Sequence, residues 1–145
     1  MTETGSHQAL MVRIAQLQAR LQAQAARHLG EQKTTPAALP QPPAALQQLS
    51  DLFALSRFEQ EILLLCAGAE LAVGWGALCA AALGDPRRRA PSFELAQTVA
   101  EAPHWSAFST GSPLRHWQLI EVGAGDALIT SPLRIDERIL GYLLG

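Results

Sequence analysis

A run of large apolar positions without a polar break lies within the stretch from Ser56 to Leu71, SRFEQEILLLCAGAEL. Ser56 and Glu59 stand in the S-x-x-E spacing of a capping box, in which each side chain can satisfy an N–H of a helix's first turn. Glu59 and Glu61 also suit the positive end of the helix dipole. Ile62 to Ala67 then follow without a polar break for more than one full turn. No face is left for water, so the pattern predicts a central helix with neighbours on several sides.

Upstream, His7 to Leu29 is rich in Ala, Gln, Leu and Arg and predicts a helix on propensity alone. Leu10, Ile14, Leu17 and Leu21 follow a 4-3-4 spacing that forms one apolar seam. In the same register the next positions are Gln24 and His28, so the seam weakens. Arg13, Arg20 and Arg27 recur every seven residues and form a basic stripe on its flank. A self-pair would give those arginines no acidic counterpart, which argues for a different protein partner. On that view Leu10, Arg13, Ile14, Leu17, Arg20, Leu21 and Arg27 are the candidate partner-binding residues. The alternative is an amphipathic helix that lies on its own domain or frays in solution, since three heptads are marginal in water.

Gly30 ends this helix, and residues 31 to 43 hold Pro36, Pro40, Pro42 and Pro43, a composition suited to a linker. Beyond it a helix is predicted over Ala44 to Ala54, with Leu46, Leu49, Leu52 and Phe53 on one face, before the cap at Ser56. Shorter helices are predicted over Ala77 to Leu83 and Phe93 to Glu101. Pro103 to Trp117 reads as a loop whose tryptophans cover the core. Trp117 to Val122 alternates like a strand; Gly123 to Asp126 makes a turn, Ala127 to Thr130 a returning strand, and Asp136 to Leu144 a last helix. The predicted class is mainly α with a small β-hairpin. It divides into an N-terminal helix (1–30), a linker (31–43) and a domain (44–145).

Charge narrows the possible functions. Lys and Arg number 11 against 13 Asp and Glu, a net charge of −2, which provides no general attraction for nucleic acid or an anionic membrane. The acidic excess lies in the domain: residues 1–43 hold four basic and two acidic groups, residues 44–145 seven and eleven. DPRRRA, from Asp85 to Ala90, is a basic turn, and Arg87, Arg88 and Arg89 are a weak candidate anion site beside the simpler reading of a solvated tip. Cys66 and Cys79 sit in apolar helical runs and the start lacks a signal-peptide pattern, which implies a reducing, cytoplasmic setting. No apolar run approaches the roughly 18 residues of a spanning helix.

Catalytic motifs are absent from the sequence. No G-x-x-x-x-G-K-[ST] occurs, and the glycine pairs Gly74/Gly76 and Gly123/Gly125 lack the context of a dinucleotide site. The cysteines have no partners in zinc spacing. His104 and His116 lie near Ser106, Ser109 and Ser112, yet no elbow motif places a nucleophile. Catalytic, cofactor-binding and metal residues are therefore assigned to none.

The order of helices, turn, helix and hairpin is that of a winged helix. LSRFEQEILLLCAGAEL (55–71), ALCAAALGDPRRRAPSFELA (77–96), HWSAFSTGSPLRHWQLIEV (104–122) and TSPLRIDERILGYLLG (130–145) resemble the winged-helix domain that precedes the ATPase module in a group of bacterial AAA+ ATPases, some encoded with contractile injection systems. The resemblance covers residues 44–145. It implies a non-catalytic module that recruits or positions a protein partner or substrate, with ATP, Mg and a hexameric assembly belonging to an ATPase module expected after residue 145. Two alternatives remain: a DNA-binding regulator, and a structural brace of the ATPase ring. Against the first, the predicted second motif helix carries Glu94 and Glu101 and no Lys or Arg.

Overall fold

The computed structural model describes the backbone of residues 2–28, 44–100, 103–125 and 127–144, with side chains in the first helix described over 8–25. Among these residues, seven α-helices and one hairpin follow in order. They are α1 (Thr2–His28), α2 (Ala44–Phe53), α3 (Arg57–Leu71), α4 (Trp75–Leu83), α5 (Phe93–Val99), α6 (Pro113–His116), β1 (Ile120–Val122), β2 (Leu133–Ile135) and α7 (Glu137–Leu144).

The capping box predicted at the start of α3 is present: Glu59 N–H donates to Ser56 Oγ at 3.2 Å and Ser56 N–H donates to Glu59 Oε1 at 2.9 Å. Every residue from Ile62 to Gly68 is buried, as is Phe58. α4 is bracketed by Gly74 and Gly84, both with positive φ, a conformation that lets the chain turn sharply into and out of a short helix. Ser92 Oγ accepts from Leu95 N–H and starts α5. A cluster of rings links the later segments to α3, with Phe93 and Phe108 centroids 4.6 Å apart and Phe58 and Phe108 6.0 Å apart.

α1 shares this core. Leu10, Ile14, Leu17 and Leu21 are all buried, and the helix lies chiefly along α4 while touching α3, α5 and α7. Of the two sequence readings of this helix, packing on its own domain is the one observed. The predicted linker, residues 31–43, falls outside the described residues.

The hairpin pairs Ile120 with Ile135, Glu121 with Arg134 and Val122 with Leu133, antiparallel. The returning strand is thus Leu133–Ile135 and not Ala127–Thr130. The latter segment holds a 3-10 turn, Leu128–Thr130, in which the Thr130 and Ser131 hydroxyls both donate to the Ala127 carbonyl. Those local bonds compete with a strand ladder, whereas Leu133 and Ile135 alternate with exposed Arg134 and fit a half-buried edge. Leu52 corrects another expectation: it is 75% exposed, because α2 ends at Phe53 and Ala54 turns with φ 57°. Asp136 caps α7 as predicted, accepting from Arg138 N–H at 2.8 Å and Ile139 N–H at 3.3 Å. Burial pushes its carboxyl up, but those two N–H groups and the Arg138 guanidinium outweigh it and hold it below the usual carboxylate range.

Candidate functional site

Two arginines of the basic stripe of α1, Arg13 and Arg20, are turned inward. Arg13 is 3% and Arg20 9% exposed. Arg20 Nη1 donates to Glu61 Oε1 of α3 at 2.8 Å, and Nη2 donates to the Val99 carbonyl at the end of α5. A guanidinium at that position satisfies a terminal carbonyl and favours the negative end of the α5 dipole. Six of the seven candidate partner-binding residues, Leu10, Arg13, Ile14, Leu17, Arg20 and Leu21, are buried and do not line a free surface. The Arg27 side chain falls outside the described residues. The heptad spacing identified a real seam, but it said nothing of Glu61, which is buried with Glu59 in the first turns of α3 and whose pairing with Arg20 carries no signal in a local sequence pattern.

The three adjacent arginines engage different neighbours. Arg87 is exposed, and its N–H donates to Asp85 Oδ1 at 3.0 Å. That bond holds the Asp85 carboxyl below its ordinary range against slight desolvation, helped by the Arg87 charge. Arg88 Nη2 meets Glu94 Oε2 at 3.2 Å. Arg89 lines an open groove of about 560 Å³ floored by Ala25, Ala77, Ala80 and Ala81. α5, the helix in the place where a winged helix reads DNA, carries Glu94, Gln97 and Thr98 outside its buried side and no cation. In the hairpin, Arg134 is engaged by Glu70 at 3.1 Å.

Two features were missed by the sequence reading. Trp105 and Trp117, expected to cover the core, are 64% and 56% exposed. Each contacts a neighbouring ring, Trp105 edge-on to Phe108 at 5.0 Å and Trp117 tilted against Phe53 at 5.7 Å, and leaves much of its surface exposed. The second is a hydrogen-bonded chain in which Ser56 Oγ lies 2.8 Å from His104 Nε2 and His104 Nδ1 lies 2.6 Å from Ser106 Oγ. It resembles a serine–base pair, but the Ser56 hydroxyl already accepts the Glu59 N–H as helix cap. His104 therefore ties the loop to the start of α3, with its ring edge on Phe58 at 5.3 Å.

Cys66 and Cys79 are buried and unbridged. Burial pushes both thiols up, Cys79 to about 12 and Cys66 further, helped by neighbouring Cys79 and Glu70. A raised thiol pKa leaves almost no thiolate at neutral pH. Native protein at pH 8 is accordingly expected to react negligibly with a thiol-specific chromogenic reagent, and both cysteines to react once denaturant is added. Rapid labelling without denaturant would show that α3 and α4 open. Among the described residues no group of His, Cys, Asp and Glu is arranged to hold a metal ion, and no helix is long and apolar enough to cross a membrane.

No curated protein and no solved structure matches the chain at a significant level. A family model does match, that of the winged helix domain, variant, over residues 3–145. The match runs through α1 as well as the later helices and hairpin, in keeping with the single core they share, and the chain belongs to this winged helix domain family.

Proposed function

We propose that this winged-helix domain is a protein-interaction module, the non-catalytic N-terminal part of a hexameric cytoplasmic AAA+ ATPase, which recruits or positions a partner or substrate of that machine. The ATPase association rests on the resemblance of the motifs over residues 44–145; ATP and Mg belong to the ATPase module. The observation that carries an interaction role over DNA reading is the surface of α5. Its outward residues are Glu94, Gln97 and Thr98, and Arg88, the cation that pairs with them, is held by Glu94. Phosphate neutralisation by Lys and Arg supplies most non-specific DNA affinity, and this helix offers none. Half-exposed tryptophans, by contrast, are the side chains most enriched where proteins meet proteins.

Labelled duplex DNA titrated at low ionic strength is expected to show no binding tighter than about 10⁻⁴ M. Micromolar binding that weakens steeply with salt would favour the DNA-regulator reading. In the parallel experiment the immobilised chain captures a partner from native cytoplasm, and Trp105→Ala/Trp117→Ala loses it while circular dichroism stays unchanged. Capture that survives the double substitution would move recognition to another face.

A further inference from the structure

Helix α4 is apolar on every side. Its sequence, WGALCAAAL, holds no charged residue, and its one strong hydrogen-bonding side chain, the indole of Trp75, is buried. A helix of that composition belongs in an interior, yet Ala77 and Ala81 are exposed. They stand one turn apart with Ala80 beside them, and Ala25 of α1 completes the floor of the groove of about 560 Å³. Alanines from both helices leave the two backbones near the surface. A third helix can approach them closely, because interaxial distance follows the side chains at the contact.

Charge defines which helix fits. The turn from Asp85 to Arg89 edges the groove. Asp85 accepts the Arg87 N–H at 3.0 Å and lies 3.5 Å from the Arg87 guanidinium, while Glu94 is held by Arg88 at 3.2 Å. Arg89 is exposed and has no hydrogen-bond or ion-pair partner among the described residues. Its place is set by Gly76, where an added Cβ would come within 2.9 Å of the Arg89 carbonyl oxygen and 3.7 Å of its Nε. Glycine there lets the Arg89 segment lie against the first turn of α4. The uncompensated charge at the edge is thus positive, beside an apolar floor.

We propose that the groove between α1 and α4 docks an acidic amphipathic helix of another protein, whose apolar residues meet the alanine floor while a carboxylate pairs with Arg89. Helix-in-groove recognition reads apolar anchors at successive turns, and a guanidinium takes a carboxylate through two parallel hydrogen bonds. An isologous second copy fits less well. It would set this patch against itself, supplying no large side chain for the groove and no free carboxylate for Arg89. Nucleic acid suits the apolar floor poorly, since its outer surface is charged backbone. The inference goes beyond the protein-interaction reading by naming a second face and the chemistry of its partner, and it stands without the exposed tryptophans.

The probe is a fluorescein-labelled peptide, blocked at both ends, with leucines along one helical face and glutamates flanking them. Fluorescence anisotropy with the full chain is expected to show saturable binding. Replacing the peptide's glutamates by glutamine is expected to weaken binding at least about tenfold, and Arg89→Glu in the chain to do the same. Ala81→Gln, which puts a neutral side chain into the groove from an exposed position, is expected to abolish binding with an unchanged circular dichroism spectrum. Absence of saturable binding overturns the proposal. So does equal binding of the glutamine peptide, or binding that survives either Arg89→Glu or Ala81→Gln. Loss of binding in Trp105→Ala/Trp117→Ala would place the site at the tryptophans, and duplex DNA binding that Arg89→Glu removes would make this face a nucleic-acid surface. Either result also overturns it.

Discussion

Arg20→Met is expected to cost about 3–5 kcal/mol of the free energy that holds α1 on the rest of the domain. Methionine keeps most of the side chain's length, so packing changes little, but the Glu61 carboxylate is left buried with neither oxygen paired. The Val99 carbonyl at the end of α5 loses its donor in the same step. Removing the second charge as well, in Arg20→Met/Glu61→Met, is expected to recover most of the loss, because well-packed apolar replacements of a buried ion pair are often neutral. The two single variants and the double form a cycle whose coupling energy isolates the pair. Urea denaturation followed by circular dichroism, with amide exchange resolving α1, provides the measurement. A single-variant cost below about 1 kcal/mol is the value for a solvent-exposed pair, and it would contradict the buried geometry described above.

Gly68→Ala is expected to destabilise the protein by about 2–3 kcal/mol even though alanine is the better helix former. In an exposed helix interior the same change stabilises by roughly 1 kcal/mol. At position 68 an added Cβ would sit 2.4 Å from Cζ2 and 2.5 Å from Cε2 of Trp75. That indole is fully buried at the start of α4, so it has nowhere to yield without displacing its neighbours. The steric cost therefore outweighs the propensity gain. A melting temperature lowered by several degrees, with a changed near-ultraviolet tryptophan signal, is the expected result. A variant as stable as the parent would mean that α3 and α4 do not approach as closely as the structure places them.

Legibility differed from element to element, for identifiable reasons. The start of α3 was readable because a capping box is local: Ser56 and Glu59 bond to each other's backbone across three residues. The Asp136 cap was readable for the same reason. The hairpin was only half readable, since three-residue strands carry little alternation, and the hydroxyls of Thr130 and Ser131 create a turn that propensity alone did not separate from a strand. Leu52 shows the limit of periodicity near a helix end, where the chain departs at Ala54 before the seam is covered. The exposed tryptophans were misplaced because an aromatic residue between prolines fits a lid and a surface anchor equally well.

The seam of α1 is the instructive case. Leu10, Ile14, Leu17 and Leu21 established, from spacing alone, that this helix must bury one side and that Arg13 and Arg20 flank it. What buries that side depends on residues more than forty positions away, on an alanine-rich α4 and on a glutamate in α3 whose partner no local pattern reveals. Local backbone bonds and the period of apolar residues are properties of neighbouring positions, so the sequence by itself determined the longer helices, the caps at Ser56 and Asp136 and the mainly α class with a small hairpin, but not α6, which lies inside the segment read as a loop. Whether a basic stripe faces a partner or seals an internal ion pair is decided by desolvation and distance between remote segments. Only the tertiary structure places Arg20 against Glu61 and leaves Trp105 and Trp117 outside.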